Sequence, residues 1–305
     1  ALTDSAVNPT VLEGYSEAAT GVVTLRVTDS DASIQVGGLS TEVSFLLPAD
    51  LFPDDVVGEP EEGPPVGELM KINASDGAAG DYFGHSVAIS GVTAIVGSYL
   101  DDDMGDGSGS AYVFRWNGTG WEDEDKITAT DGSSYDNFGI SVSISGDTAI
   151  VGSYNDDDMG YNSGSAYIFQ RNGATWGQVA KLSASGGVAG DYFGYSVSIS
   201  GDMALVSSHY DDDMGGDSGS AYIFRWNGTT WEKVVKLTAS DGSSYDYFGI
   251  SVSISSDAAI VGSHGDDDSG AYSGSAYIFR WNGTTWEEED KLIASDGWDS
   301  DQFGY

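Results

Sequence analysis

FGISVSISSDAAIVGSHGDDDSGAYSGSAYIFRWNGTTWEEEDKLIASDG, residues 248–297, holds four short apolar segments separated by turn signals and one acidic loop. SVSIS (251–255) alternates Val252 and Ile254 with serines, the period of a half-buried strand. AAIVGS (258–263) is a second short apolar strand, and the polar loop HGDDDSGAYSG (264–274) follows it. SAYIFRW (275–281) places Tyr277, Phe279 and Trp281 on one face. Asn282-Gly283 marks a tight turn, because both residues tolerate positive φ. Trp286 to Ala294 then gives a fourth strand, and SDGWDSDQFG (295–304) leads into another unit of the same kind.

The pattern recurs at a fixed step of 55 residues. Phe-Gly stands at Phe83-Gly84, Phe138-Gly139, Phe193-Gly194, Phe248-Gly249 and Phe303-Gly304. The acidic triplet starts at Asp101, Asp156, Asp211 and Asp266; the third strand starts at Ala111, Ala166, Ala221 and Ala276. Lys71, Lys126, Lys181, Lys236 and Lys291 keep the same register, with no insertion or deletion over residues 71–305. A four-stranded sheet cannot bury two apolar faces alone, whereas neighbours stacked around an axis can. The expected fold class is therefore all-β, a β-propeller of four-stranded blades with a 55-residue repeat and four complete units, plus a small N-terminal β-region. A parallel β-helix fits worse, because its rungs repeat at roughly 20–30 residues.

The unit K-L-x-A-S-D-G-x-x-x-D-Y-F-G-x-S-V-x-I-S-G-D-x-A-I-V-G-S resembles the FG-GAP repeat of integrin-α-like propellers, in the variant found in extracellular proteins of marine and environmental microbes. The resemblance covers residues 68–305. It implies a β-propeller, an extracellular setting and, frequently, Ca²⁺ in the inter-strand loops. Propellers of this kind usually have more blades than the units seen here. The chain is accordingly expected to be a piece of a longer propeller, with a closed four-bladed ring or several chains completing one another as the alternatives.

Residues 1–47 lie outside the repeat. VVTLRV (22–27), ASIQV (32–36) and TEVSFLL (41–47) read as strands, of a small β-domain, of one truncated upstream, or of a donor segment for a neighbouring subunit. Residues 48–67 read as an acidic, proline-rich linker carrying Asp54, Asp55, Glu59, Glu61 and Glu62. The expected division is 1–47, 48–67 and the repeats at 68–305. Ala1 at the start fits a processed N-terminus or a fragment boundary equally.

Charge narrows the partners. Forty-nine acids against 11 bases give a formal charge of −38, which repels phosphate backbones and anionic membranes. There is no cysteine, and no stretch of 18 apolar residues that would span a membrane. Clustered carboxylates suit oxygen-seeking cations, Ca²⁺ above all. Side chains alternate along an extended segment, so the expected ligands within each triplet are its first and third acids: Asp101 with Asp103, Asp156 with Asp158, Asp211 with Asp213 and Asp266 with Asp268. The loop before Phe-Gly adds Asp76 and Asp81, Asp131 and Asp136, and Asp241 and Asp246; the third unit has Gly186 at the first of these positions and keeps Asp191. For both loops the alternative is a solvated acidic turn without metal.

His85, His209 and His264 stand where sister units carry Tyr or Ile, which reads as packing. No nucleophile–base pairing stands out, and four near-identical units suit repeated weak binding better than one asymmetric catalytic constellation. Seven tryptophans around the Asn-Gly turns, from Trp116 to Trp286, read as packing first and sugar stacking second. Sequons at Asn73, Asn117, Asn227 and Asn282 would accept glycans in a eukaryotic host and are turns otherwise. The expectation is a secreted or cell-surface, non-enzymatic adhesion, recognition or surface-structure module, braced by calcium. It would bind an extracellular protein or glycan and could self-associate into a larger assembly. A filament subunit and a polysaccharide-active enzyme are the alternatives.

Overall fold

The computed structural model describes residues 70–305 in full and, ahead of them, the backbone of strands β1 (Val23–Arg26) and β2 (Val43–Leu46). The segment 32–36 and the linker 48–67 lie outside the described residues. Four antiparallel four-stranded blades follow in chain order. Blade 1 is β4 (Phe83–Ser90), β5 (Thr93–Ser98), β6 (Ser110–Trp116) and β7 (Trp121–Ile127). Blade 2 is β8 (Val142–Ser145), β9 (Thr148–Ser153), β10 (Ser165–Asn172) and β11 (Thr175–Leu182). Blade 3 is β12 (Val197–Ser200), β13 (Met203–Ser208), β14 (Ser220–Trp226) and β15 (Trp231–Leu237). Blade 4 is β16 (Phe248–Ser255), β17 (Ala258–Ser263), β18 (Ser275–Trp281) and β19 (Trp286–Leu292). The innermost strands pack in sequence, β4 on β8, β8 on β12 and β12 on β16, and one cavity of about 400 Å³ is lined by Ile89, Ile144, Ile199 and Ile254 together.

A short strand β3 (Lys71–Ile72) precedes blade 1 and pairs antiparallel with β2. Val43 faces Ile72 and Ser44 faces Lys71, the register in which Ala111 faces Ile127 and Tyr112 faces Lys126 inside blade 1. β3 thus stands where a fourth strand stands, and Met70, Ile72 and Ala74 pack on the first face of blade 1. β1 pairs with β2 in parallel, unlike any neighbours within a blade.

Each inter-blade core is built from opposite faces of successive sheets. Ile95, Val113 and Ile127 of blade 1 meet Phe138, Val142, Val151 and Phe169 of blade 2. The same positions recur between blades 2 and 3 and between blades 3 and 4. Phe138, Phe193 and Phe248 are wholly buried, and each sets its ring edge-on to a Tyr and a Phe of the third strand. The serines of the first strand also lie inside. Ser143 and Ser198 are 2% and 4% exposed, and their hydroxyls accept the backbone N–H of Ile199 and Ile254 in the next blade at 3.1 Å. In blades 2 and 3 the alternation therefore separates two buried faces, one apolar and one hydrogen-bonded across blades, whereas in SVSIS (251–255) of blade 4 Val252 and Ile254 are buried and Ser253 and Ser255 are exposed, the half-buried strand that the sequence pattern predicts.

The Phe-Gly glycine serves a backbone junction. Gly109 bridges Phe138 in parallel, as Gly164 bridges Phe193. A Cβ on Gly164 would run into the Phe193 carbonyl, one on Gly152 into the Gly194 carbonyl, and one on Gly194 into the Ser165 carbonyl. Three glycines from separate segments, one in β9, one just before β10 and one before β12, thus meet with no side chain between them. Ser207 is the exception, standing in blade 3 where Gly97, Gly152 and Gly262 stand in the others.

Gly164 (φ +78°) and Gly173 (φ +70°) share the left-handed region, but only Gly164 has backbone within reach of a Cβ. Gly173→Ala is expected to cost about 1 kcal/mol and Gly164→Ala roughly 3 kcal/mol or more, because strain is added to collision. Equal losses in denaturant melts would show that the junction is not a close backbone approach.

Candidate functional site

The acidic loop leaves the end of the second strand, which carries its first aspartate into the blade. Asp101, Asp156, Asp211 and Asp266 are buried, and the third-strand tyrosine meets each one: Tyr112 Oη lies 2.9 Å from Asp101, Tyr167 Oη 2.8 Å from Asp156, Tyr222 Oη 3.1 Å from Asp211 and Tyr277 Oη 2.9 Å from Asp266. The middle acid shapes the loop. Oδ1 of Asp102, Asp157, Asp212 and Asp267 accepts the backbone N–H five residues on, at 2.6–2.8 Å.

A lysine of the fourth strand sits opposite that tyrosine in register and brings its ammonium to the same carboxylate. Lys126 Nζ lies 2.8 Å from Asp76, 3.1 Å from Asp101 and 2.6 Å from Asp103. Lys181 pairs with Asp131 at 2.7 Å, Asp156 at 3.0 Å, and Asp158. Lys291 pairs with Asp241 at 2.7 Å, Asp266 at 2.8 Å and Asp268 at 2.6 Å. In the third unit, where Gly186 replaces the loop aspartate, Lys236 pairs with Asp211 at 2.8 Å and with Asp213. Each ammonium also stands 5.0–5.3 Å from the centre of its tyrosine ring.

In the first, second and fourth units the first and third acids of the triplet thus come together with the first acid of the loop before Phe-Gly, and in the third unit the two triplet acids stand without it. The carboxylate oxygens of Asp131, Asp156 and Asp158, and of Asp241, Asp266 and Asp268, lie within 4.8 Å of one another and could hold a metal ion. The second acids of those loops do something else. Asp81, Asp136, Asp191 and Asp246 are buried, and Oδ2 of each accepts the backbone N–H three residues earlier at 2.6–2.8 Å, closing the turn. Sequence reasoning noted the lysines only as register marks. Their strict 55-residue step beside an acid-rich loop was the available signal.

The environments push these acids apart. Hydrogen bonds from Lys126 and Tyr112 hold Asp76 below the usual carboxylate range. Burial disfavours charge on Asp131, Asp241 and Asp266, but their lysine and other hydrogen bonds outweigh it and keep all three low. Burial likewise works against the ammonium of each lysine, and the surrounding carboxylates raise it well above its ordinary value. Asp136 and Asp246, which have no such partner, are pushed up to about 6, by burial first and by neighbouring acids of the triplet second.

A second repeated feature lies between the outer strands. The register between third and fourth strands slips once in every blade, leaving Glu124, Val179, Val234 and Glu289 unpaired in a bulge. Val234 lines a groove of about 350 Å³ with Met203, Arg225, Asp257, Trp281 and Trp286. Val179 lines the equivalent groove of about 260 Å³ with Thr148, Gln170, Asp202, Trp226 and Trp231. Between blades 1 and 2 the corresponding positions are Glu124 and Arg171, whose Nε–Oε1 pair at 2.9 Å replaces the valine and tryptophan. Trp121, Trp176 and Trp286 are buried packing residues, and Trp226, Trp231 and Trp281 are half-buried.

The histidines pack and the sequon asparagines are exposed. His209 is 5% exposed among Tyr192, Tyr195 and Tyr210, and burial lowers its pKa to about 3, so it is a neutral packing group. Burial also lowers His85 and His264. Asn117, Asn227 and Asn282 are exposed, and Oδ1 of each accepts the N–H two and three residues on, which forms the turn. Asn73 is exposed just after β3.

These shifts set opposite pH limbs. A carboxyl whose pKa is raised by folding adds stability at low pH and withdraws it as pH rises through the folded value. Asp136 and Asp246 therefore favour the fold below about pH 4 and stop doing so above about 6. The caged acids, held low, add stability above about pH 4 and lose it on acidification. The melting temperature is expected to rise from pH 7 to about 5 and to fall below about 4. The double substitution Asp136→Asn, Asp246→Asn should flatten the upper limb; an unchanged limb would assign it to the overall charge instead.

Comparison with known proteins agrees with this architecture. No curated protein matches the chain. The family model of the FG-GAP repeat matches residues 66–114, 121–169, 176–224 and 231–279, more than half of the sequence. Each match runs from the fourth strand of one blade through the third strand of the next. On four matched repeats in register with four blades, the chain belongs to the FG-GAP repeat family and folds as its β-propeller.

Proposed function

We propose that this chain is an extracellular, non-enzymatic recognition or surface-structure module. The observation that carries this reading is the repetition of the inter-blade groove. Blades 2 and 3, and again blades 3 and 4, present a tryptophan pair, a bulged valine and an aspartate at equivalent positions. An apolar wall with a few fixed polar groups suits a weakly held ligand, and repetition converts weak contacts into avidity. The polar groups beside the tryptophans are an amide, a hydroxyl, a guanidinium and carboxylates, a set that suits a polyhydroxylated ligand such as a neutral glycan. An acidic glycan would be repelled by the net charge of −38. His209, 5% exposed and ringed by tyrosines, supports a packing rather than a catalytic reading of that residue.

The test is binding of the whole chain to a panel of immobilised neutral and acidic polysaccharides. Neutral ligands are expected to be retained. Trp226→Ala with Trp281→Ala should weaken retention at least about tenfold, the scale of losing a central aromatic contact. Release of new reducing ends would refute the non-enzymatic reading, and retention indifferent to both tryptophans would remove the grooves from it.

A further inference from the structure

We infer that the fourth-strand lysine ammonium is the resident cation of each acid cage, so that the cages brace the blades without calcium. The acid-rich loops of this family imply Ca²⁺, and the oxygens here lie close enough to consider one. The cage as built does not fit it. Ca²⁺ takes six to eight oxygens at about 2.3–2.6 Å. The cage offers three carboxylates, and Nζ already stands among them, 2.6–3.1 Å from Asp76, Asp101 and Asp103 in the first unit. The loop carbonyls that would complete a calcium shell accept the loop's own donors. Asp101 O takes Gly109 N–H at 2.8 Å and Ser108 Oγ at 3.2 Å, and Asp102 O takes Gly105 N–H at 3.0 Å. The middle acid of the triplet is bound to Gly107 N–H. A divalent ion would have to expel the lysine and break the loop.

Burial says which charge needs a partner. Side chains of Asp76 and Asp103 are 52% and 47% exposed and solvated, whereas that of Asp101 is 5% exposed. One buried carboxylate would be costly alone, and one ammonium offsets it. The third unit separates the two readings within one molecule. Gly186 deletes a carboxylate, yet the pairing of buried Asp211 with Lys236 is kept. The half-exposed acid is dispensable; the buried aspartate and its lysine occur in all four blades.

The experiment is a calcium titration by calorimetry and a thermal melt of the whole chain, both in high NaCl to suppress diffuse binding. The wild type should show no saturable calcium uptake, and excess chelator should leave its melting temperature unchanged, since a ligand that does not bind cannot stabilise. Lys181→Met with Lys291→Met should melt lower than wild type in chelator. Saturable uptake by the wild type that Asp158→Asn with Asp268→Asn abolishes would overturn the inference. So would a lysine double variant that melts like wild type in chelator. If that variant does not fold, the wild-type titration alone decides.

Discussion

Blades of this protein meet through bare backbone. Between blades 1 and 2 and between blades 2 and 3 the glycine near the end of the second strand, the glycine before the third strand and the glycine of Phe-Gly approach so closely that a methyl group on any of them would strike a carbonyl; between blades 3 and 4 Ser207 takes the place of the first. The parallel bridge formed there, Gly109 to Phe138 and its repeats, hands the chain from one sheet to the next. The phenylalanine beside it is thereby driven into the core between Tyr and Phe of its own third strand. The stacking of sheets, the burial of the serine face and the placing of the acid loops all depend on that approach distance. Before the third strand and at Phe-Gly, glycine is required because the chain needs positive φ and the absence of Cβ at the same point.

Much of this was legible in the sequence, since a 55-residue period with four alternating segments leaves few architectures open. What stayed hidden was two-sidedness. Ser143 and Ser198 look like the wet face of a strand, and only stacking turns them into inter-blade hydrogen bonds. The bulge at Val234 was hidden for a related reason: it interrupts the pairing of β14 with β15 without leaving a turn residue behind. Likewise β2 could be read as a strand, but its pairing with β3 is a long-range fact that no local pattern encodes.

In the acid loops, composition identified the residues and geometry assigned their work. The three acids of a triplet look interchangeable, yet one is buried against tyrosine, one ties the loop to itself and one reaches the lysine. Alternation along the segment grouped the first and third, and in the structure both reach the lysine. The lysine was unreadable as a partner because it lies 25 residues away from the buried aspartate, on a strand whose facing is set by the bulge just before it. Carboxylates with and without this partner are pushed in opposite directions, which divides the acidity into a braced set and a strained set. Most of the remaining negative charge is on the surface and shapes solubility and partner choice rather than fold.

The frame of the family match has an evolutionary consequence. Each matched unit carries the outer strand of one blade and the inner three of the next, so it spans one interface, whose remaining face, Ile95 and Val113 in the first case, comes from the unit before. A unit inserted in register would therefore meet, on either side, positions like those that its sister units already meet. Insertion of a whole unit leaves every junction glycine, cage lysine and core phenylalanine opposite a familiar partner. The Arg171–Glu124 pair, in place of tryptophan and valine, shows that two contacting positions differ together in one pair of blades.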